Sequence, residues 1–439
     1  MGAVMSSEDA PLDKYLPQNG NRGYRVSRYD LNIEYKMSSN RIAGTALIEG
    51  YATESRDKFS FDLSPHLTVS KVIVNGKRPE RFVHRAGKLR ISLGHKRKTG
   101  DALTVQVNYA GTPKPINGPW GSVGWDELTE GVIVASQPNG AASWFPCNDH
   151  PSSKAKYRIT ITTDSPYYAL ANGKLKSTRT KASQRTWVYE LNEPTSSYLA
   201  TVQIGRYARH QMDKGDVPMY GVIPPRLRKI FDHDFARQPK MMKTFTKLFG
   251  PFPLDSYTVV VTDDELEIPV EAQGISVFGA NHCDGRRGWE RLIAHELAHQ
   301  WFGNSVTSRQ WSDIWLHEGF ACYAEWLWSE ESGGSTADVL AKSARASLAR
   351  LPHDIVLGDP GPKHMFDDRI YKRGAIMLHA LRLELGSKKF FELVREWTKK
   401  NRHSTVTTAD FKRLAANYSK DSLKGFWDKW LDRKDLPKL

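Results

Sequence analysis

The sequence predicts an α+β protein: an N-terminal antiparallel all-β domain over residues 1–205, followed by a mainly α domain over residues 206–439. Three observations predict it. Large and polar residues alternate through much of the first two hundred positions, with Asn-Gly turn pairs between the runs. After about Gly205 the apolar spacing becomes helical. One helical stretch then carries His295-Glu296-Leu297-Ala298-His299, with Glu318 beyond an eighteen-residue gap. A chain of 439 residues can bury two or three sizeable cores. With 39% hydrophobic residues it is globular, and its longest apolar runs are far too short to span a membrane.

The elements follow in chain order. Residues 1–20 contain Asp, Glu and Pro and lack the apolar core of a secretory signal. Residues 24–35, 103–109 and 157–163 alternate with a period of two, which describes strands with one wet face. Asn75-Gly76 and Asn172-Gly173 read as turns. His95-Lys96-Arg97-Lys98, just before Thr99-Gly100-Asp101, reads as the tip of a hairpin. Residues 241–249 and 376–385 read as helices, and 257–262 as a buried strand. Residues 289–302 hold no proline or glycine, and Gly303-Asn304 supplies a stop. A second helix over about 312–331 ends at Ser332-Gly333-Gly334. Asp313 is placed to cap it or to sit in its first turn.

Histidines four apart lie on one helix face, one turn above the other. His295 and His299 can therefore converge on one ion. The flanking Leu292-Ile293-Ala294 and Trp301-Phe302 mark the helix as buried, where two histidines and a glutamate are costly without a partner. A catalytic zinc takes three nitrogen and oxygen ligands and keeps one position open. His295, His299 and Glu318 would supply the three for one zinc ion. Glu296 would then stand beside the metal as a general base. Ligating histidines usually give their second N–H to a carboxylate or carbonyl. Glu325 or Asp313 could accept it. His317 points to a different side of its helix from Glu318 and is not taken as a ligand.

The words around these residues resemble a known family. HELAHQWFGN (295–304) and WLHEGFACYAEW (315–326), with their eighteen-residue gap, resemble the gluzincin aminopeptidases, the aminopeptidase N and leukotriene hydrolase family. The resemblance implies a thermolysin-like zinc catalytic domain and an enzyme that removes N-terminal residues from peptides with a free N-terminus. Arg369-Ile370-Tyr371-Lys372-Arg373-Gly374-Ala375 resembles the family segment whose tyrosine stabilises the oxyanion, a role this implies for Tyr371. Ile268-Pro269-Val270-Glu271-Ala272-Gln273-Gly274 stands where the family usually has a Gly-Ala-Met-Glu-Asn strand. Glu271 and Gly274 align; the leading Gly-Ala and the Asn do not. By resemblance Glu271 holds the substrate's amino group. Pro269 has no N–H, so one main-chain hydrogen bond to substrate is expected to be lost. Gln137, ahead of Phe145-Pro146-Cys147-Asn148-Asp149, is similar to a second amine anchor that would add a neutral hydrogen bond; read alone it is a loop glutamine. Gln137 lies in the β region, so the site is expected between the domains. Members of the family carry a further helical C-terminal domain, for which the residues after Glu318 leave no room, and a more open cleft is expected.

Three widely spaced cysteines form neither a metal cluster nor a disulfide framework and suit a reducing cytoplasm, with export after loss of a signal as the alternative. The net charge of +14 is scattered, so nucleic-acid binding is not expected, and neither is a membrane partner. Three other functions stay open beside the aminopeptidase: an inactive peptide-binding relative, an endopeptidase, and the epoxide hydrolase activity of one branch of the family. Intact Glu296 speaks against the first, since a scaffold has no need of it.

Overall fold

The computed structural model describes residues 12–439, in two compact units that divide after Ala208. Residues 1–11, more than half of the segment read as free of a secretory signal, lie outside the described residues.

The first unit is built of sheets. The largest has seven strands in the order Lys174–Lys181, Gln184–Ser196, Lys154–Asp164, Tyr24–Lys36, Arg41–Ala52, Ala102–Gly111, Leu67–Val74. Alternation decides which face is buried. Tyr29, Leu31, Ile33 and Tyr35 are closed off from solvent, while Arg28, Asp30 and Glu34 between them are not. Across the sheet Tyr29 stacks on Tyr157 with ring centroids 5.2 Å apart. One pairing departs from the antiparallel expectation: Tyr24–Lys36 runs parallel to Lys154–Asp164, with Leu31 opposite Ile159. Alternation reports the buried face and is blind to direction, so the sheet is mixed. A five-stranded and a three-stranded sheet complete the unit.

Asn75-Gly76 forms the expected tight turn, with Val74 and Lys77 exchanging both backbone hydrogen bonds. Asn172-Gly173 joins strands of two different sheets. The basic run at 95–98 does not tip a hairpin. It closes the strand Lys88–Arg97 of the three-stranded sheet, and the chain then crosses to Ala102–Gly111 in the seven-stranded one.

The second unit is mainly helical, with one five-stranded sheet. Its strand Tyr257–Val261 is buried on both faces, as a continuous apolar run between two parallel neighbours should be. The helices are α1 (Arg228–Asp234), α2 (Gln238–Phe249), α3 (Glu290–His299), α4 (Trp315–Glu331), α5 (Ala337–Leu348), α6 (Asp368–Leu385), α7 (Ser387–Lys400), α8 (Thr408–Ala416) and α9 (Lys424–Leu431). α4 is the central one. Every residue from Trp315 to Trp328 is buried, the mark of a helix enclosed by others on all sides. α3 ends at His299, and Gly303 at φ +111° turns the chain away. α6 starts at Asp368, well before the predicted 376, because the Asp367 carboxylate caps it by accepting from the Arg369 N–H.

Candidate active site

α3 and α4 run antiparallel along the site. Arg291 pairs with Glu325, His295 with both Glu325 and Glu318, and His299 with Glu318, so the two numberings rise in opposite directions. Both His295 Nε2 and His299 Nε2 face the Glu318 carboxylate, at 3.4 and 3.3 Å. These separations suit metal ligands: donors held about 2.0–2.1 Å from a zinc ion at tetrahedral angles stand about 3.3 Å apart. The other ring nitrogens are occupied. His295 Nδ1 meets Glu325 Oε1 at 2.8 Å, and His299 Nδ1 meets the Phe302 carbonyl at 3.0 Å. Each Nδ1 thus donates its proton, and each Nε2 lone pair is left for a cation. The donor set therefore fits a zinc ion.

Glu325, one of the two candidates for the imidazole partner, occupies that position. Asp313 does not; it lies in a short turn before α4 and accepts from Thr408 Oγ1 at 2.6 Å. His317 Nε2 accepts from the Ser308 N–H and takes no place in the trio.

Charge is the constraint on this cluster. His295, Glu296, His299 and Glu318 are each at most 6% exposed. Burial opposes charge on His295, but Glu318 and Glu325 outweigh it and bring the imidazole to about 9. Burial also opposes charge on Glu318, and the two histidines overcome it, holding the carboxyl well below its usual range. The trio is built around positive charge. Burial raises Glu296 to about 7 against the pull of both histidines, and its Oε2 accepts no hydrogen bond among the described residues.

Glu271 joins them. Its carboxylate, with those of Glu296 and His299's ring nitrogen, forms a second group whose atoms lie within 4.8 Å of one another. Burial raises its carboxyl pKa. Glu271 sits in the edge strand Val270–Ala272, which begins directly after Pro269. Two residues to which sequence reasoning gives no role hold that strand against α3. Gln300 accepts from the Gly274 N–H and donates to the Ala272 carbonyl, and Asn304 donates to the same carbonyl. Their only signal is being amides beside an apolar helix; both are fully buried, and buried amides need partners.

Tyr371 stands in the first turn of α6. Its ring lies within 15° of parallel to His295, centroids 6.0 Å apart. Burial, then the charges of Glu318, Glu271 and Glu296, keep its hydroxyl protonated far above the usual range. Gln137 belongs to the first unit, half-buried after the strand Gly131–Ala135.

Two family models match. The peptidase family M1 domain covers residues 234–430, and the peptidase M1 N-terminal domain covers residues 26–199. The chain belongs to the peptidase M1 family. A leucyl aminopeptidase of Saccharolobus solfataricus is 24% identical over 94% of this chain and 54% of its own length. The glutamyl aminopeptidase of Bos taurus is 26% identical over 69% of this chain and 34% of its own. The chain thus spans about half, or less, of these M1 relatives. The M1 zinc metallopeptidase of Deinococcus radiodurans matches in structure with TM-score 0.89 and 28% identity, covering 98% of this chain and 99% of that one. A mutant of that M1 enzyme has been solved with a Tyr-Ser-Ala substrate, at TM-score 0.90, 27% identity and the same coverage.

Proposed function

We propose that the chain is a zinc-dependent aminopeptidase that removes N-terminal residues from peptides. The observation that carries this reading is the convergence of two imidazole nitrogens and a carboxylate at ligand spacing, with two further buried glutamates beside them. His295, His299 and Glu318 hold the zinc ion. When bound, zinc supplies Lewis acidity, polarising a carbonyl and making water acidic near neutral pH. Glu296, with a carboxyl near 7, takes the proton of the attacking water and returns it to the leaving amine. Tyr371, still protonated, donates to the oxyanion of the tetrahedral intermediate. Glu271 receives the substrate's ammonium, whose charge restores the ionised form that burial disfavours. Relatives named for leucine and for glutamate give no single preference for the first side chain.

The experiment pairs a free-amino peptide with its N-acetylated twin, each with and without a chelator. The free peptide should lose its first residue, and only while the metal is present. Acetylation removes the charge that Glu271 reads and should stop cleavage. Equal cleavage of the twin at an internal bond would make this an endopeptidase. Activity untouched by the chelator would remove zinc from the account.

A further inference from the structure

Tyr371 reaches the cluster because α6 crosses α4 backbone against backbone, and the crossing point is a pair of glycines. Gly319 directly follows Glu318 in α4. Gly374 comes three residues after Tyr371 in α6. A Cβ on Gly374 would stand 2.8 Å from the Gly319 Cα, and one on Gly319 would stand 3.0 Å from the Gly374 Cα. Real Cβ atoms hardly ever come that close to backbone, and backbone cannot swing aside as a side chain can. Neither glycine has a positive φ, so neither is there for conformational freedom. Glycine inside a helix costs about 1 kcal/mol relative to alanine. Two of them, facing each other across one crossing, serve close approach.

The surroundings hold α6 in that position. Next to Gly374, Arg373 donates to five main-chain carbonyls, those of Ile355, Trp430, Arg433, Lys434 and Asp435. Beside the crossing the Lys372 ammonium lies 3.6 Å from Cys322 Sγ. α6 is therefore pressed onto α4 at the glycines, with one flank carrying Tyr371 toward His295.

We propose that the Gly319–Gly374 contact is a positioning element that sets the reach of the Tyr371 hydroxyl to the oxyanion; this rests on the aminopeptidase reading. The contact directly follows the proposed metal ligand Glu318 in the chain, and less than one helical turn separates it from Tyr371. Widening it by a few tenths of an ångström therefore passes almost undiminished to the hydroxyl. An oxyanion donor works within about 2.7–3.1 Å, so that shift carries it out of range.

The test substitutes Gly374→Ala and, separately, Gly319→Ala, in the natural chain and in a Tyr371→Phe background. Zinc content, kcat, KM and the affinity for a phosphinic pseudopeptide, a tetrahedral mimic, are measured for each. Each alanine should lower kcat about tenfold or more, part of the 10²–10³ that a lost oxyanion donor costs. KM should stay within about twofold and zinc at about one equivalent, because the substituted residues touch neither substrate nor metal. Phosphinate affinity should fall in step with kcat. With Tyr371→Phe already present, the alanines should cost little more in either readout, because the hydroxyl they displace is gone. Equal losses in both backgrounds, or a folded variant with unchanged kcat, overturns the proposal. Should Gly374→Ala fail to fold, Gly319→Ala, with its larger clearance, decides. A Tyr371→Phe change that is itself harmless would instead remove Tyr371 from the chemistry and leave the crossing without a role.

Discussion

At the residue scale, the site separates carboxyls of opposite charge preference, and the proposed function gives one to a cation and the other to a proton. Glu318 is held ionised by two histidines, while Glu296, one residue from His295, is raised to about 7 by burial. Two glutamates thus differ in charge from their surroundings alone, and under the proposed function they take opposite roles. The prediction is that Glu296→Gln keeps about one equivalent of zinc and loses on the order of a hundredfold or more in kcat. Glu318→Gln should lose the metal instead. Elemental analysis beside steady-state kinetics checks both, and a metal-free Glu296→Gln with a metal-loaded Glu318→Gln would reverse the assignment. His295 and His299 are legible in the sequence because helix geometry turns a spacing of four into a shared face, and Glu296 and Glu318 are legible from the motif that surrounds and follows them. Gln300, Asn304 and Arg373 are not. Gln300 and Asn304 find partners near residue 272, and Arg373 finds four of its five partners some sixty residues further on, where no local pattern points.

At the element scale, pairs of segments make the site, and each pair is fastened by polar contacts. α3 and α4 are joined through His295, Glu325 and Arg291. Glu325 orients the His295 ring and makes its Nε2 a better donor to a metal. Glu325→Gln keeps the shape and removes the charge. Zinc affinity should then fall about ten- to a hundredfold, as measured by competition with a chromogenic chelator. An unchanged dissociation constant would reduce Glu325 to packing. The helices themselves were readable from periodicity and breakers. Their ends were less so: α6 begins a full two turns before its clear apolar pattern, because a capping aspartate rather than an apolar residue marks the start. The parallel pair in the seven-stranded sheet was not readable either, since partner and direction are set by a connection more than a hundred residues long.

At the scale of the whole molecule, the stability of the chain depends also on buried titratable groups that take no part in the proposed chemistry. Among the described residues no helix is long and apolar enough to cross a membrane. Asp149 and His150 are adjacent, both buried in the first unit, and they pull in opposite directions. Burial, then the charge of Asp62, raises Asp149 to about 7. Burial lowers His150 to about 4. A carboxyl raised on folding takes up a proton that the unfolded chain releases. Its contribution is complete below the unfolded value, near 4, and is lost as pH climbs to about 7. An imidazole lowered on folding does the reverse, and its contribution is lost as pH falls from about 6.5 to about 4. Across most of that window the two slopes oppose each other, and between about 6.5 and 7 only Asp149 remains. Asp149→Asn removes the rising cost of the carboxylate. It also keeps an oxygen to accept from Ser197 Oγ, now 2.8 Å from Asp149 Oδ1. The melting temperature of the variant minus that of the natural chain should therefore increase steadily from pH 5 to pH 8, by about a few degrees. Taking the difference cancels every titration the two proteins share. A difference that stays flat across that range would mean that Asp149 is already ionised in the folded protein at pH 5. The neighbouring charges would then have been met by Lys88, whose ammonium bonds Asp62 at the centre of the same cluster.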